Sequence, residues 1–247
     1  MKTFEHIVRV GNRYPPELFY VLGALLGDGC AYKWRKTNGH RLILAGDHAF
    51  AWKYAGKISL CIGRNVKAYP NRRQHIWFVS TRNDEVAALF LNIRKGHLSV
   101  LRLMEQGDSE MNCVAFVEGF FDAEGCVKIV REPVRKIPKI CLDITNTNFE
   151  LLESVRLSLK SGLEIEARYS SQEAYLSKDG SPRKKSYHLR IYKKSDVKKF
   201  LENISTTKLT EKKKPAVREW LSVDNCNTRF FRNSSLLAAS SRYSTKP

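Results

Sequence analysis

The sequence predicts a mixed α/β (α+β) fold made of two pseudo-symmetric repeats, each ordered α-β-β-α-β-β-α. Three observations carry that prediction. A short glycine-and-acid motif occurs twice. Ordered matches continue behind each copy, at spacings that grow in steps. The same succession of helix-period and strand-period segments follows both copies. The first copy is Leu22-Gly23-Ala24-Leu25-Leu26-Gly27-Asp28-Gly29-Cys30 and the second is Glu118-Gly119-Phe120-Phe121-Asp122-Ala123-Glu124-Gly125-Cys126, an offset of 96 residues. Phe50, Ile58-Ser59-Leu60 and Gly63 then match Phe149, Leu157-Ser158-Leu159 and Gly162 at an offset of 99. Val86, Asn92 and Ile93 match Val197, Asn203 and Ile204 at 111. Loop insertions between duplicated elements produce such steps.

In the first repeat a helix over about 16–27 begins at Pro15-Pro16, where proline suits the first turn and Glu17 faces the helix dipole. Tyr32-Lys33-Trp34-Arg35 alternates aromatic and basic residues at strand period, so Lys33 and Arg35 are expected on one face and the aromatics against the helices. Asn38-Gly39 signals a hairpin, with residues 40–45 returning as its partner strand. A helix over about 48–62 closes at Gly63, strands near 66–70 and 75–80 form a second hairpin, and a helix over about 84–93 ends the unit. The second repeat places its helices near 112–123, 148–161 and 195–203, and turns a longer hairpin at Asp179-Gly180. The chain thus divides into an N-terminal segment 1–15, a first repeat 16–104, a linker 105–111, a second repeat 112–222 and a tail 223–247 whose Asn/Ser/Thr-rich composition predicts an unfolded segment.

Composition limits the partners. The 247 residues carry 43 Lys+Arg against 25 Asp+Glu, a formal charge of +18, which favours nucleic acid over an anionic membrane because no strongly basic amphipathic helix accompanies it. No apolar run reaches the roughly 18 residues of a bilayer span, and no secretory core opens the chain, so a soluble, non-secreted protein is expected. Six cysteines without a C-x-x-C pair point to a reducing compartment, not to a zinc ribbon.

The motif has mechanical content. Gly23 and Gly27, like Gly119 and Ala123, are four residues apart and leave one helix face nearly bare, so two such helices can pack with their backbones close. A pseudo-two-fold axis through that contact sets Asp28 beside Glu124. Adjacent carboxylates raise each other's pKa unless cations sit between them. Carboxylate, water and phosphate oxygen are the ligand set for Mg²⁺, with Mn²⁺ as a substitute, and such a site serves phosphodiester hydrolysis.

At these residues the chain resembles the LAGLIDADG homing endonuclease family, in its single-chain form with two motifs, over about residues 16–205. The resemblance implies two saddle-like antiparallel sheets facing the major groove of duplex DNA. It also implies cleavage of both strands across the minor groove with short 3′ overhangs, at a long non-palindromic target, by a monomer. Asp28 and Glu124 fall where the family has its metal-binding acids, with the backbone carbonyls of Gly27 and Ala123 as further ligands. Asp122 falls at an earlier acidic position that the first copy fills with Leu26, and is taken as a polar residue near a helix end. Where the family often has Lys or Gln before the second helix, this chain has Gly46-Asp47-His48 and Thr145-Asn146-Thr147. That leaves Lys128, four residues after Glu124, as the candidate auxiliary catalytic residue.

Basic residues at strand spacing supply the candidate DNA contacts: Lys33, Arg35, Arg41, Lys67, Arg72, Arg73 and His75 in the first repeat, and Arg168, Lys178, Arg183, Lys184, Lys185, His188 and Arg190 in the second. Arginine to guanine is the commonest specific contact, so Arg35, Arg73 and Arg190 are the base-reading candidates. Lys212-Lys213-Lys214 is read as the end of a helix. The expected setting is intracellular: the cytoplasm or nucleoid of a prokaryote, or an organelle matrix. An intron-encoded protein is expected rather than a self-splicing one, since the chain begins Met1-Lys2 and ends Lys246-Pro247. The alternative on the same scaffold is an intron-RNA-binding splicing factor, or maturase.

Overall fold

The computed structural model describes residues 7–9, 11, 13–34, 39–131, 138–177 and 179–223. The expected turn at Asn38, the candidate contacts Arg35 and Lys178, and tail residues 224–247 lie outside the described residues. The first half runs α1 (Pro16–Asp28), β1 (Gly29–Trp34), β2 (Gly39–Gly46), α2 (His48–Ile62), β3 (Ala68–Asn71), β4 (Ile76–Arg82) and α3 (Asp84–Arg94), followed by a short α4 (Val100–Met104). The second runs α5 (Ser109–Glu124), β5 (Gly125–Val130), β6 (Lys139–Asn146), α6 (Phe149–Leu163), β7 (Arg168–Gln172), a small β8 (Tyr175–Leu176) and β9 (Pro182–Arg183) hairpin, β10 (Ser186–Ile191), α7 (Lys194–Asn203) and α8 (Lys214–Ser222). Both four-stranded sheets are antiparallel with equivalent orders, β1-β2-β4-β3 and β5-β6-β10-β7.

Local chemistry sets the helix ends. Asp47, Asn83, Asp108 and Asn148 each accept a hydrogen bond from the backbone N–H three residues on, at 2.8–3.2 Å, and so cap α2, α3, α5 and α6. The Asp108 cap starts α5 three residues before the expected 112. Gly63 closes α2 in the left-handed region (φ 64°), as the sequence predicts. The equivalent cap of α6 is Glu164 (φ 49°), not Gly162. The two helices therefore align at an offset of 101, so Phe149 is exposed while Phe50 is buried. Gly162 lies inside α6, where an added Cβ would meet the Cβ of Cys113 at 2.9 Å, so it sets the approach of α6 to α5. Lys212-Lys213-Lys214 leads into α8, which begins at Lys214, instead of ending a helix, because Pro215 suits only a first turn.

In each sheet one face covers helices and the other is open. Leu42, Leu44 and Val79 line the covered face of the first, and Val127, Leu142, Ile144, Leu189 and Ile191 that of the second, all 1% exposed or less. Between the halves, α1 and α5 pack along their lengths. Every residue from Leu18 to Leu26 is buried, as expected for a helix surrounded by protein. The packing is backbone on backbone. A Cβ at Gly119 would lie 2.0 Å from the Tyr20 carbonyl oxygen, one at Gly23 would lie 2.3 Å from the Phe116 carbonyl oxygen, and one at Gly27 would lie 2.4 Å from the Ala123 Cβ. A side chain in place of any of these three glycines drives the helices apart.

Gly119→Ala is accordingly expected to lower the unfolding free energy by about 3 kcal/mol in denaturant titration, the upper range for overpacking. Gly56→Ala, on the exposed side of α2 with nothing within 4 Å of the added methyl, is expected to raise it by about 0.5–1 kcal/mol. Equal effects of the two changes would mean that the seam is not close-packed.

Candidate active site

The glycine seam brings the C-termini of α1 and α5 together, and this determines the electrostatics of their ends. The chain leaves both helices in extended conformation at Gly29 and Gly125, whose N–H groups return to the Leu25 and Phe121 carbonyls. The last carbonyls of each helix, those of Gly27 and Ala123 included, then lack an intrahelical donor. Neither helix has a basic residue in its last turn. Two negative dipole ends therefore converge where the sequence also places two carboxylates.

Asp28 and Glu124 meet at this point. The Cβ built on Gly27 lies only 3.0 Å from Glu124 Cγ. Burial first, then the charge of Asp28, push the Glu124 carboxyl up to about 7, against lowering by a hydrogen bond from Asn146 Nδ2 at 2.9 Å to Glu124 Oε1 and by the Lys208 ammonium. Asp28 is also raised by partial burial, again opposed by Lys208. A cation between the two groups favours the doubly ionised pair at neutral pH, and two carboxylates with orphaned helix carbonyls are the oxygen donors of a hard divalent ion. Among the described residues no group of three or more His, Cys, Asp or Glu forms a closed metal cage. Two carboxylates and the helix carbonyls would leave places on a hard divalent ion for water and phosphate.

The cation facing both acids is Lys208, which sequence reasoning missed. It lies in the loop between α7 and α8, with its ammonium 5.6 Å from the Phe50 ring centre, and a knot beneath it holds the loop. Asp122, fully buried, accepts at Oδ1 from Thr206 Oγ1 (2.8 Å), Thr207 N (2.7 Å) and Thr207 Oγ1 (3.1 Å), and at Oδ2 from Tyr20 OH (3.0 Å) and Lys53 Nζ (2.6 Å). Lys53 also pairs with Glu118 at 2.7 Å and donates to the Ser205 carbonyl. Asp122 is thus the anchor of the Lys208 loop, not merely a polar residue near a helix end. The signal for it was a lone acid at a position filled by leucine in the other copy.

Lys128 takes a different place from the one expected. It points onto the open face of the second sheet and pairs with Asp143, so its charge goes to that carboxylate rather than to Glu124. The ammonium that acts on both acids is instead that of Lys208. Of the two strand ends before the second helix of each repeat, the second provides Asn146 against Glu124. The first provides Asp47, which is used as a helix cap.

The candidate DNA residues divide by face. Strand register puts Tyr32 with Arg41 on the open face, and Lys33 with Ala31 and Leu42 on the covered parity. The alternation expected for β1 is therefore inverted: Ala31, set by the exit from Gly29, is the residue that packs inward. Lys33 remains exposed at the strand's outer end. Lys67, Arg72, Arg73 and His75 are exposed before and within the β3–β4 turn, His75 in the left-handed region. In the second sheet Arg168, His188 and Arg190 lie on the open face beside Lys128. Arg183, Lys184 and Lys185 are exposed on and after β9, Lys185 paired with Glu173 at 2.7 Å.

A raised carboxyl has a defined consequence for pH. Glu124 binds a proton up to about pH 7 when folded, against an ordinary value of 4.5, so its contribution to stability is full below 4.5 and is lost as pH rises through 7. Without divalent cations the melting temperature is expected to fall across that window by more than in Glu124→Gln, and a divalent cation at pH 8 should restore it. Parallel pH profiles for the two proteins would contradict the geometry.

Comparison with known proteins agrees with this arrangement. Residues 112–205 match the LAGLIDADG-like domain family. The solved structure of mesophilic variants of the homing endonuclease I-DmoI is 20% identical and covers 76% of this chain and 90% of its own, with a TM-score of 0.50. Full-length DUF199/WhiA from Thermatoga maritima is 16% identical over 94% of this chain and 70% of its own, with a TM-score of 0.53. Elongation factor 2 of Methanopyrus kandleri is 29% identical over 149 residues, 59% of this chain; the chain spans 10% of that relative's length. With its second half a LAGLIDADG-like domain and the same motif and strand order in its first, this chain is a two-motif protein of the LAGLIDADG fold.

Proposed function

We propose that the chain is a site-specific DNA endonuclease that hydrolyses both strands of a duplex with a divalent cation, Mg²⁺ in the cell. The observation that carries this reading is the meeting of Asp28 and Glu124 at two helix C-termini under the Lys208 ammonium. The fold alone does not carry it, since DUF199/WhiA shares the fold. Structures of I-DmoI in complex with DNA and Ca, 19% identical to this chain with a TM-score of 0.50, support duplex DNA as the substrate class.

Asp28 and Glu124, with the Gly27 and Ala123 carbonyls, would hold the cation. When bound, it supplies Lewis acidity, making water a nucleophile near neutral pH and countering phosphate charge. Asn146 fixes one carboxylate oxygen of Glu124, leaving the other to face the site. Lys208 supplies positive charge where negative charge builds up on the phosphoryl oxygens during displacement, and a preformed charge in a partly desolvated site is worth more there than in water. The two open faces, cationic and different in sequence, suit a long asymmetric target in the major groove. A monomer encoded in an intron, leaving short 3′ overhangs, completes the proposal.

The test is to incubate the chain with a duplex library and Mg²⁺ and sequence the ends. Discrete paired cuts are expected, and Asp28→Asn or Glu124→Gln should abolish them with DNA affinity retained. Lys208→Met should slow cutting about 10²–10³-fold, the cost of removing one stabilising donor, whereas Lys128→Met leaves the rate close to that of the unaltered chain. Full cutting by either acid variant, or protection of structured intron RNA with no duplex cut, would overturn the reading.

A further inference from the structure

The open face of the second sheet contains a feature that the endonuclease reading does not require. Asp143, in the middle of β6, turns its carboxylate onto that face yet is only 1% exposed, because three basic side chains cover it. Lys128 from β5 pairs with Oδ2, Arg190 from β10 donates Nε to Oδ1 at 3.1 Å, and His188 Nδ1 lies 3.3 Å from both oxygens and 2.9 Å from Thr145 Oγ1. Burial raises this carboxyl, but the bonds from Lys128 and Arg190 outweigh it and hold Asp143 below its ordinary value, so it stays ionised. The first sheet has no counterpart. Its equivalent residue on β2 is Ile43, flanked in register by Cys30 and Ser80 where Asp143 has Cys126 and Arg190.

A carboxylate at the centre of a surface meant for a polyanion repels phosphate and gains nothing for affinity. Its geometry instead constrains the arginine. With Nε tied to Asp143 and Nη1 donating to Tyr192 OH at 3.3 Å, the guanidinium plane is fixed from two sides. Nη2 keeps no protein acceptor among the described residues. Guanine presents O6 and N7 as a pair of acceptors in the major groove, and a guanidinium edge fixed before binding meets them without the ordering cost of a free side chain.

We infer that Asp143 is a positioning residue for specificity, which presets Arg190 to read a guanine in the half-site under the second sheet. This rests on the proposed function, and the test separates the two. The full chain, Asp143→Asn and Arg190→Lys are each used to select from a duplex library, in Ca²⁺ for binding and in Mg²⁺ for cutting. The unaltered chain is expected to demand guanine at one position of that half-site. Arg190→Lys keeps the charge but loses the fork, so it should relax that position about tenfold or more, the discrimination of one bidentate contact. Asp143→Asn should relax the same position by a similar factor while the half-site under the first sheet keeps its preference, a pattern that general destabilisation does not produce. If Asp143→Asn does not fold, Asp143→Glu serves, with guanine preference partly retained. Unchanged preference in either Asp143 variant, while Arg190→Lys loses it, would overturn the positioning role; no guanine requirement in Arg190-dependent binding would overturn the reading head. A chain that neither binds nor cuts any duplex would overturn the endonuclease reading itself.

Discussion

The α1–α5 seam is the constraint on which the molecule depends. A Cβ at Gly119 would lie 2.0 Å from the nearest carbonyl oxygen, so the two backbones are in contact and any side chain in place of that glycine forces them apart. Close packing of this kind fixes translation along the helix axes as well as distance, because each bare patch must meet the other. Both helices end immediately after their bare patches, at Asp28 and Glu124, so the packing that joins the halves also sets the two carboxylates side by side. Stability and chemistry thus share one interface, and a change that loosens one loosens the other.

The site is symmetric in its acids and asymmetric in everything around them. Glu124 carries a hydrogen bond from Asn146 and the higher proton affinity, while Asp28 has no such partner from Gly46 at the matching strand end. Only the second motif has the buried Asp122, and only its half provides the Thr206–Lys208 loop anchored there. Burying Asp122 is tolerable because five donors meet its two oxygens. A buried carboxylate deprived of such partners costs about 3–5 kcal/mol, so the loop and the motif helix stabilise one another. The open sheet faces diverge in the same way, the first mostly neutral along its centre and the second built on an ionised knot.

Much of this was legible because it is written locally. Proline at a first turn, Gly63 past a helix, Asp179-Gly180 at a hairpin tip and the paired glycines of the motif each act through backbone geometry within a few residues, and the duplication supplied the topology. What was not legible depends on distant partners. The face of β1 followed from Ala31 packing inward against the core, which outweighed the regular alternation of Tyr32 and Lys33. Gly162 matches Gly63 in sequence but serves packing against Cys113 on α5, a partner remote along the chain. Lys208 shows no pattern of its own, and it is identified only when Thr206 and Thr207 are seen to close on Asp122. Lys128 was close to Glu124 in number, but strand parity sends it to Asp143.

The central claim is that the two motif acids form one cation site. Crystals grown with a cognate duplex and Mn²⁺ test it through anomalous scattering. An anomalous peak is expected at inner-sphere distance, about 2.0–2.4 Å, from a carboxylate oxygen of Asp28 and of Glu124, beside a backbone phosphate. Manganese bound only elsewhere, with the two carboxylates sharing no ion, would contradict it.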